Sequence, residues 1–109
     1  MSVRDNASVM AAALNKKEIS AVELANQHYD QIAAVDKDVH AFLYLDKEGA
    51  LAQAKEVDKK RSAGEKLSPL AGVPLALKDV MTQKGVPTTC GSKILEGWKP
   101  PYDLSLIHI

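Results

Sequence analysis

Lys78 closes an apolar run, Ala71-Gly72-Val73-Pro74-Leu75-Ala76-Leu77, and is followed at once by Asp79. A segment that buries its side chains rarely finishes on an ammonium, because desolvating an unpaired charge costs several kcal/mol. The usual escape is loss of the proton, which leaves an amine able to shuttle a proton near neutral pH or to attack a carbonyl. The simpler reading is an ammonium that reaches water or pairs with Asp79, as most charged side chains are solvated. A kinase-type lysine is excluded, because only Gly49, Gly64 and Gly72 precede it and their spacing makes no Gly-rich phosphate loop. A Schiff-base lysine stays open.

Asp79 is a candidate for tuning Lys78 or for binding a metal. Successive residues of a strand face opposite sides, so a strand running through both would keep them apart. No cluster of histidines and carboxylates at ligand spacing supports a metal site. Downstream, Thr88, Thr89 and Ser92 carry hydroxyls that could donate into a site, and Gly91 would admit a close backbone approach. Taken alone, that stretch reads more simply as a loop whose hydroxyls cap its own backbone. Cys90 has no base beside it in sequence to activate it as a nucleophile. His28, His40 and His108 fall in separate elements and read as half-buried or surface residues. Trp98 and Tyr102 flank Lys99-Pro100-Pro101 and read as a core edge in preference to a surface clamp.

The elements that must position these residues begin as helices. A weak first helix is expected over about 6–16, with Met10, Ala13 and Leu14 on one side. Ser20-Ala21-Val22-Glu23 has the capping-box form and opens a second helix with Leu24, Ala25, His28, Tyr29 and Ile32 on one stripe. Val39 to Leu45 reads as a strand, with His40, Phe42 and Tyr44 facing one way. Asp46 caps a third helix to about Ser62, with Ala50, Leu51, Ala54 and Val57 inward and Gly64 as its stop. After a polar loop the Lys78 segment reads as a second strand. Helices that lead into strands make the fold class α/β, with the start of a sheet in the second half.

At 109 residues the chain fits at most one small domain. Apolar residues are 46% and charged residues 26%, values ordinary for a soluble globular protein. Fourteen basic and fourteen acidic residues cancel, so a nucleic-acid-binding surface is not the main business of this segment. The single cysteine cannot form an internal disulfide, which suits a reducing cytoplasm. The apolar stretch from Ala7 to Leu14 is too short to span a bilayer.

Leu70 to Asp79, followed by Gly85 to Gly97 (Gly-Val-Pro-Thr-Thr-Cys-Gly-Ser-Lys-Ile-Leu-Glu-Gly), resembles the start of the amidase signature family. The leading helices, with Lys17 to Leu24 (Lys-Glu-Ile-Ser-Ala-Val-Glu-Leu), fit the branch formed by the A subunits of tRNA-dependent amidotransferases. The resemblance implies one amidase domain with an α/β/α mixed sheet, helical over 1–64 and entering its sheet core over 70–103. It implies a Ser–cis-Ser–Lys triad in which Lys78 handles the proton, with Thr88, Thr89, Gly91 and Ser92 supporting the substrate loop. Both serines are expected downstream of Asp103, so the segment alone is expected to be inert. No cofactor is expected on this segment, and ATP and magnesium belong to a partner subunit. The implied partners are glutamine, the B and C subunits of a heterotrimer and, through the complex, misacylated tRNA in the cytoplasm. Leu104 to Ile109 departs from the family pattern and reads as a junction, with a native apolar strand as the alternative. Two other functions remain: a freestanding amidase acting on a small amide, and a non-enzymatic helical interaction module.

Overall fold

The computed structural model describes residues 2–104. Three helices form in the first part of the chain: α1 (Ala7–Asn15), α2 (Ala21–Val39) and α3 (Lys47–Ser62). Each opens on the side chain that the sequence offers. The Asn6 side chain accepts the Val9 N–H at 3.1 Å, and that of Asp46 accepts the Gly49 N–H at 3.1 Å. At α2 the reciprocal box is complete: Ser20 Oγ accepts from Glu23 N–H at 3.0 Å, and Glu23 Oε2 accepts from Ser20 N–H at 2.9 Å. Two helices also stop alike. Beyond α3, Gly64 N–H donates to Arg61 O and Glu65 N–H to Lys60 O, a Schellman arrangement. Beyond α1, Lys17 takes the same left-handed position at φ 59, with Glu18 N–H donating to Ala13 O.

The box leaves the first N–H groups of α2 to be met from elsewhere, and Asp58 of α3 meets them. Its carboxylate accepts from Ala21 N–H at 2.8 Å and from Val22 N–H at 3.1 Å. A negative charge therefore sits at the positive end of the α2 dipole and ties two helices together. Beneath it lies the apolar core of Met10, Ala13, Leu14, Ala21, Leu24, Ala25 and Ala54, with Ile19, Val22, Leu51, Val57 and Val73 packed around it. The inward stripe expected for α1 matches these residues, and that expected for α3 matches at Leu51, Ala54 and Val57 but not at Ala50.

Val73 reaches the core because the chain at 71–72 is held against it. The Arg61 guanidinium donates to Asn15 Oδ1 at 2.7 Å and to Ala71 O at 2.9 Å, bridging the end of α1 to this turn. Gly72 follows at φ 93, and a Cβ there would stand 3.0 Å from Ala21 Cβ and 3.3 Å from Leu14 Cδ1. Only glycine fits both the backbone angle and the gap.

Residues 2–42 and 46–74 make up this compact unit, and 43–45 with 75–104 make up a second. Here the structure departs from the sequence reading: neither 39–45 nor 71–78 forms a strand among the described residues. Val39 ends α2, His40 turns the chain at φ 53, and Phe42, Leu43, Tyr44 and Leu45 are all exposed. Alternating apolar residues propose a strand, but a strand exists only where a neighbour completes its hydrogen-bond ladder. No described segment does so for either run.

In the second unit, main-chain bonds link 82–88 to 98–104 in antiparallel order: Thr88 N–H to Trp98 O, Gly85 N–H to Pro100 O, and Leu104 N–H to Thr82 O. Pro87, Pro100 and Pro101 lack the donors that would extend these into a ladder. Thr88 and Pro100 are buried at its centre. Trp98 and Tyr102 are exposed, so the core edge expected of these aromatics falls instead to the proline between them. The 105–109 stretch, read as a junction, lies outside the described residues, as does His108.

Two substitutions test the helical unit by thermal unfolding followed by far-UV circular dichroism. Asp58→Ala removes a charged acceptor from two N–H groups and should destabilise by about 2 kcal/mol. Gly72→Ala forces a methyl into Ala21 and Leu14 at a left-handed backbone and should cost about 2 kcal/mol or more. An unchanged midpoint in either variant would contradict the contact it removes.

Candidate active-site segment

Lys78 sits at the end of the irregular stretch after Pro74, and it is exposed together with Leu75, Ala76 and Leu77. Burial of this lysine, expected from the apolar run before it, is therefore not found. No described element covers 75–78, so the apolar side chains and the lysine are all open to solvent. The main chain at Lys78 is nonetheless fixed, since its carbonyl accepts the Met81 N–H at 2.9 Å and closes a turn. Among the described residues its ammonium has no ion-pair or hydrogen-bond partner.

Asp79 faces a different set of groups. Its Oδ1 accepts the Thr89 N–H at 2.8 Å, and its Oδ2 accepts both the Thr89 hydroxyl and the Gly91 N–H, the latter at 3.1 Å. Its own carbonyl accepts the Cys90 N–H at 2.9 Å. Three consecutive N–H groups and one hydroxyl thus converge on one residue ten positions upstream. The loop reaches that shape with Cys90 at φ 51 and Gly91 at φ 68. Space around Gly91 is open, so glycine is needed there for the backbone angle and not for close approach.

The other hydroxyls of the loop are engaged locally. Thr88, 2% exposed, turns its Oγ1 toward Val86 O at 3.5 Å, while Ser92 Oγ accepts the Ile94 N–H at 3.2 Å and caps a short 3-10 turn, Lys93–Leu95. The structure therefore gathers Thr89 and Gly91 at Asp79, the neighbour of Lys78. It leaves Thr88 and Ser92 as the ends of the loop. Cys90 is exposed with a free thiol. Among the described residues no three His, Cys, Asp or Glu side chains gather as metal ligands. Asp79 is the candidate site residue whose partners sequence reasoning missed. The available signal was its short separation from a stretch of turn formers with free N–H donors.

The donors around Asp79 hold its carboxyl below the usual carboxylate range, chiefly through the Thr89 hydroxyl and then the Thr89 N–H, against a smaller upward push from burial.

The amidase family model matches residues 23–109, which takes in Lys78, Asp79 and the whole 88–92 loop. The chain belongs to the amidase family. Its relatives include a protein of Acidothermus cellulolyticus named as the A subunit of glutamyl-tRNA(Gln) amidotransferase, 59% identical over 97% of this chain. Its namesake in Streptomyces avermitilis is 60% identical over 95%. This amidase chain spans about a fifth of their length, 21% in each case. A solved structure described as a vestigial protein complex that reveals the origins of an s-triazine catabolic enzyme superimposes with a TM-score of 0.90. It is 30% identical, over 95% of this chain and 23% of that one. An inhibitor-bound structure of that complex gives a TM-score of 0.87 at 32% identity, over 93% of this chain and 22% of that one. The fold of this amidase segment is therefore shared with known family members. No helix among the described residues is long and apolar enough to cross a membrane.

Folding lowers the Asp79 carboxyl below its unfolded value, so the stabilisation it gives is present above about pH 4 and fades as pH falls through the lower folded value. Trp98, the single tryptophan, lies in the same unit and serves as its probe. Acid titration followed by its fluorescence should show wild type losing more stability between about pH 5 and pH 3 than Asp79→Asn does. Equal acid sensitivity in the two proteins would remove Asp79 from that transition.

Proposed function

We propose that this chain is the N-terminal part of the glutamine-hydrolysing component of a tRNA-dependent amidotransferase. The observation that carries this reading is the 57–60% identity to four relatives of that name over 94% or more of the chain. In it Lys78 is the lysine of a Ser–cis-Ser–Lys triad whose two serines lie downstream. The extended stretches before Asp46 and before Asp79 join the mixed sheet of the complete α/β domain, which covers the apolar side chains now exposed at 75–78.

The chemistry asks Lys78 Nζ to take up a proton and give it back. The nucleophilic serine attacks the side-chain carbonyl of glutamine, and its proton passes through the bridging serine to Lys78 Nζ. Collapse of the tetrahedral adduct breaks the C–N bond, and the stored proton returns to the leaving nitrogen, releasing ammonia. Water then hydrolyses the glutamyl ester by the same relay in reverse and frees glutamate. Ammonia reaches a partner subunit, where ATP-activated Glu or Asp on misacylated tRNA is amidated. That subunit supplies ATP and magnesium sites, a third small subunit completes the heterotrimer, and the assembly works in the cytoplasm.

A freestanding amidase of the same family is the second reading. The family match alone allows it, but the solved chains outside the tRNA-dependent relatives, from a vestigial protein complex linked to the origins of an s-triazine catabolic enzyme, are weaker matches at 30–32% identity. Glutamine-dependent amidation of Glu-tRNA(Gln) by the assembled complex separates the two. In the complete subunit, Lys78→Ala should lower glutamine hydrolysis by about 10²–10⁴-fold with the fold retained, as for loss of a general base. Turnover within a few-fold of wild type would remove Lys78 from the mechanism.

A further inference from the structure

Asp79 stands one residue from the proposed proton carrier, and its acceptors are already committed. Both carboxylate oxygens are taken, by Thr89 N–H, by the Thr89 hydroxyl and by Gly91 N–H, while its carbonyl takes Cys90 N–H. Gly91 N–H also reaches Thr89 Oγ1 at 3.2 Å, so the hydroxyl both donates to Asp79 and accepts from the loop. In the peptide that joins Lys78 to Asp79, the Lys78 carbonyl is held by Met81 N–H. The peptide that carries Lys78 is therefore pinned from within a closed network of main-chain donors.

We propose that Asp79 is a positioning residue for Lys78: by gripping Thr89 to Gly91 it fixes the backbone from which the amine projects, and it leaves that amine unpaired. Two consequences of the geometry support this. A carboxylate with three donors has little acceptor capacity left for the ammonium beside it, and an ammonium locked to a carboxylate gives up its proton less readily. The grip also anchors the main chain on the C-terminal side of Lys78, where the carbonyl between it and Asp79 is bound by Met81 N–H. The Thr89 hydroxyl is the second member of the device, because no other side chain in the loop donates to Asp79. This assignment rests on the amidase reading of Lys78 and adds to it the two residues that aim the lysine.

The test is glutamine hydrolysis by the complete subunit with its partners, read as ammonia release per mole of folded protein. Asp79→Asn keeps the size of the side chain but turns a donor toward the Gly91 N–H. Thr89→Val keeps the shape of Thr89 and removes its hydroxyl. Each should lower kcat by roughly 10²-fold, the scale expected from about 1 Å of misplacement, with KM for glutamine within about 3-fold. Thr89→Ser keeps the hydroxyl and should hold kcat within about 3-fold of wild type, while Asp79→Asn with Thr89→Val should be no worse than Asp79→Asn alone. A role confined to loop stability would lower the unfolding midpoint without this kcat pattern and without rescue by serine. Normal kcat in both Asp79→Asn and Thr89→Val, alongside an inactive Lys78→Ala, would overturn the role of Asp79 and leave the amidase reading standing. An active Lys78→Ala would overturn both.

Discussion

A carboxylate that accepts main-chain N–H groups organises everything around the candidate catalytic lysine. Asp79 draws Thr89, Cys90 and Gly91 onto itself, with the last two in left-handed conformations that a free loop would seldom hold together. The neighbouring runs 82–88 and 98–104 do not extend into a full ladder, because Pro87, Pro100 and Pro101 lack N–H donors. The polar groups of the loop are satisfied by one side chain in place of a neighbouring strand. That constraint holds the main chain next to Lys78, and in the proposed role it leaves Asp79 little capacity to pair with the ammonium beside it.

The helical unit uses the same device at another scale. Asp58 accepts from Ala21 and Val22 across a sequence separation of 36 and 37 residues and fastens α3 to the start of α2. Arg61, one turn further along α3, does the complementary work by donating to Asn15 and to Ala71 O. Charges in this molecule act mainly on backbone groups. The one ion pair among the described residues, Lys60 with Glu56 at 3.8 Å, is exposed and adds little. Gly72 then lets the chain leave the helices by passing within contact of Ala21 and Leu14.

What could be read from the sequence was what is decided locally. Ser20 and Asp46 cap helices because a short side chain meets N–H groups three residues on, and Gly64 stops α3 for an equally local reason. The strands at 39–45 and 71–78 failed as readings because a strand is completed by a partner, and none stands among the described residues. Burial of Lys78 failed with them, since the apolar run before it has no cover here. Asp58 was unreadable as a cap because its donors lie 37 and 36 residues away, while the partners of Asp79 stand only ten to twelve residues on and left a signal that was missed. The motif around Lys78 pointed to the amidase family through residue identity, although the strand it was expected to end does not form here.

Within the proposed mechanism Lys78 must exchange a proton and not merely carry a charge. Lys78→Arg in the complete subunit separates these, because guanidinium keeps the charge and much of the reach but does not give up its proton in a protein. The measurement is the rate of glutamine hydrolysis at saturating glutamine, on protein shown to be folded by its unfolding midpoint. The expected result is a loss of about 10²-fold or more. A Lys78→Arg protein that hydrolyses glutamine at close to the wild-type rate would contradict the proton-handling role.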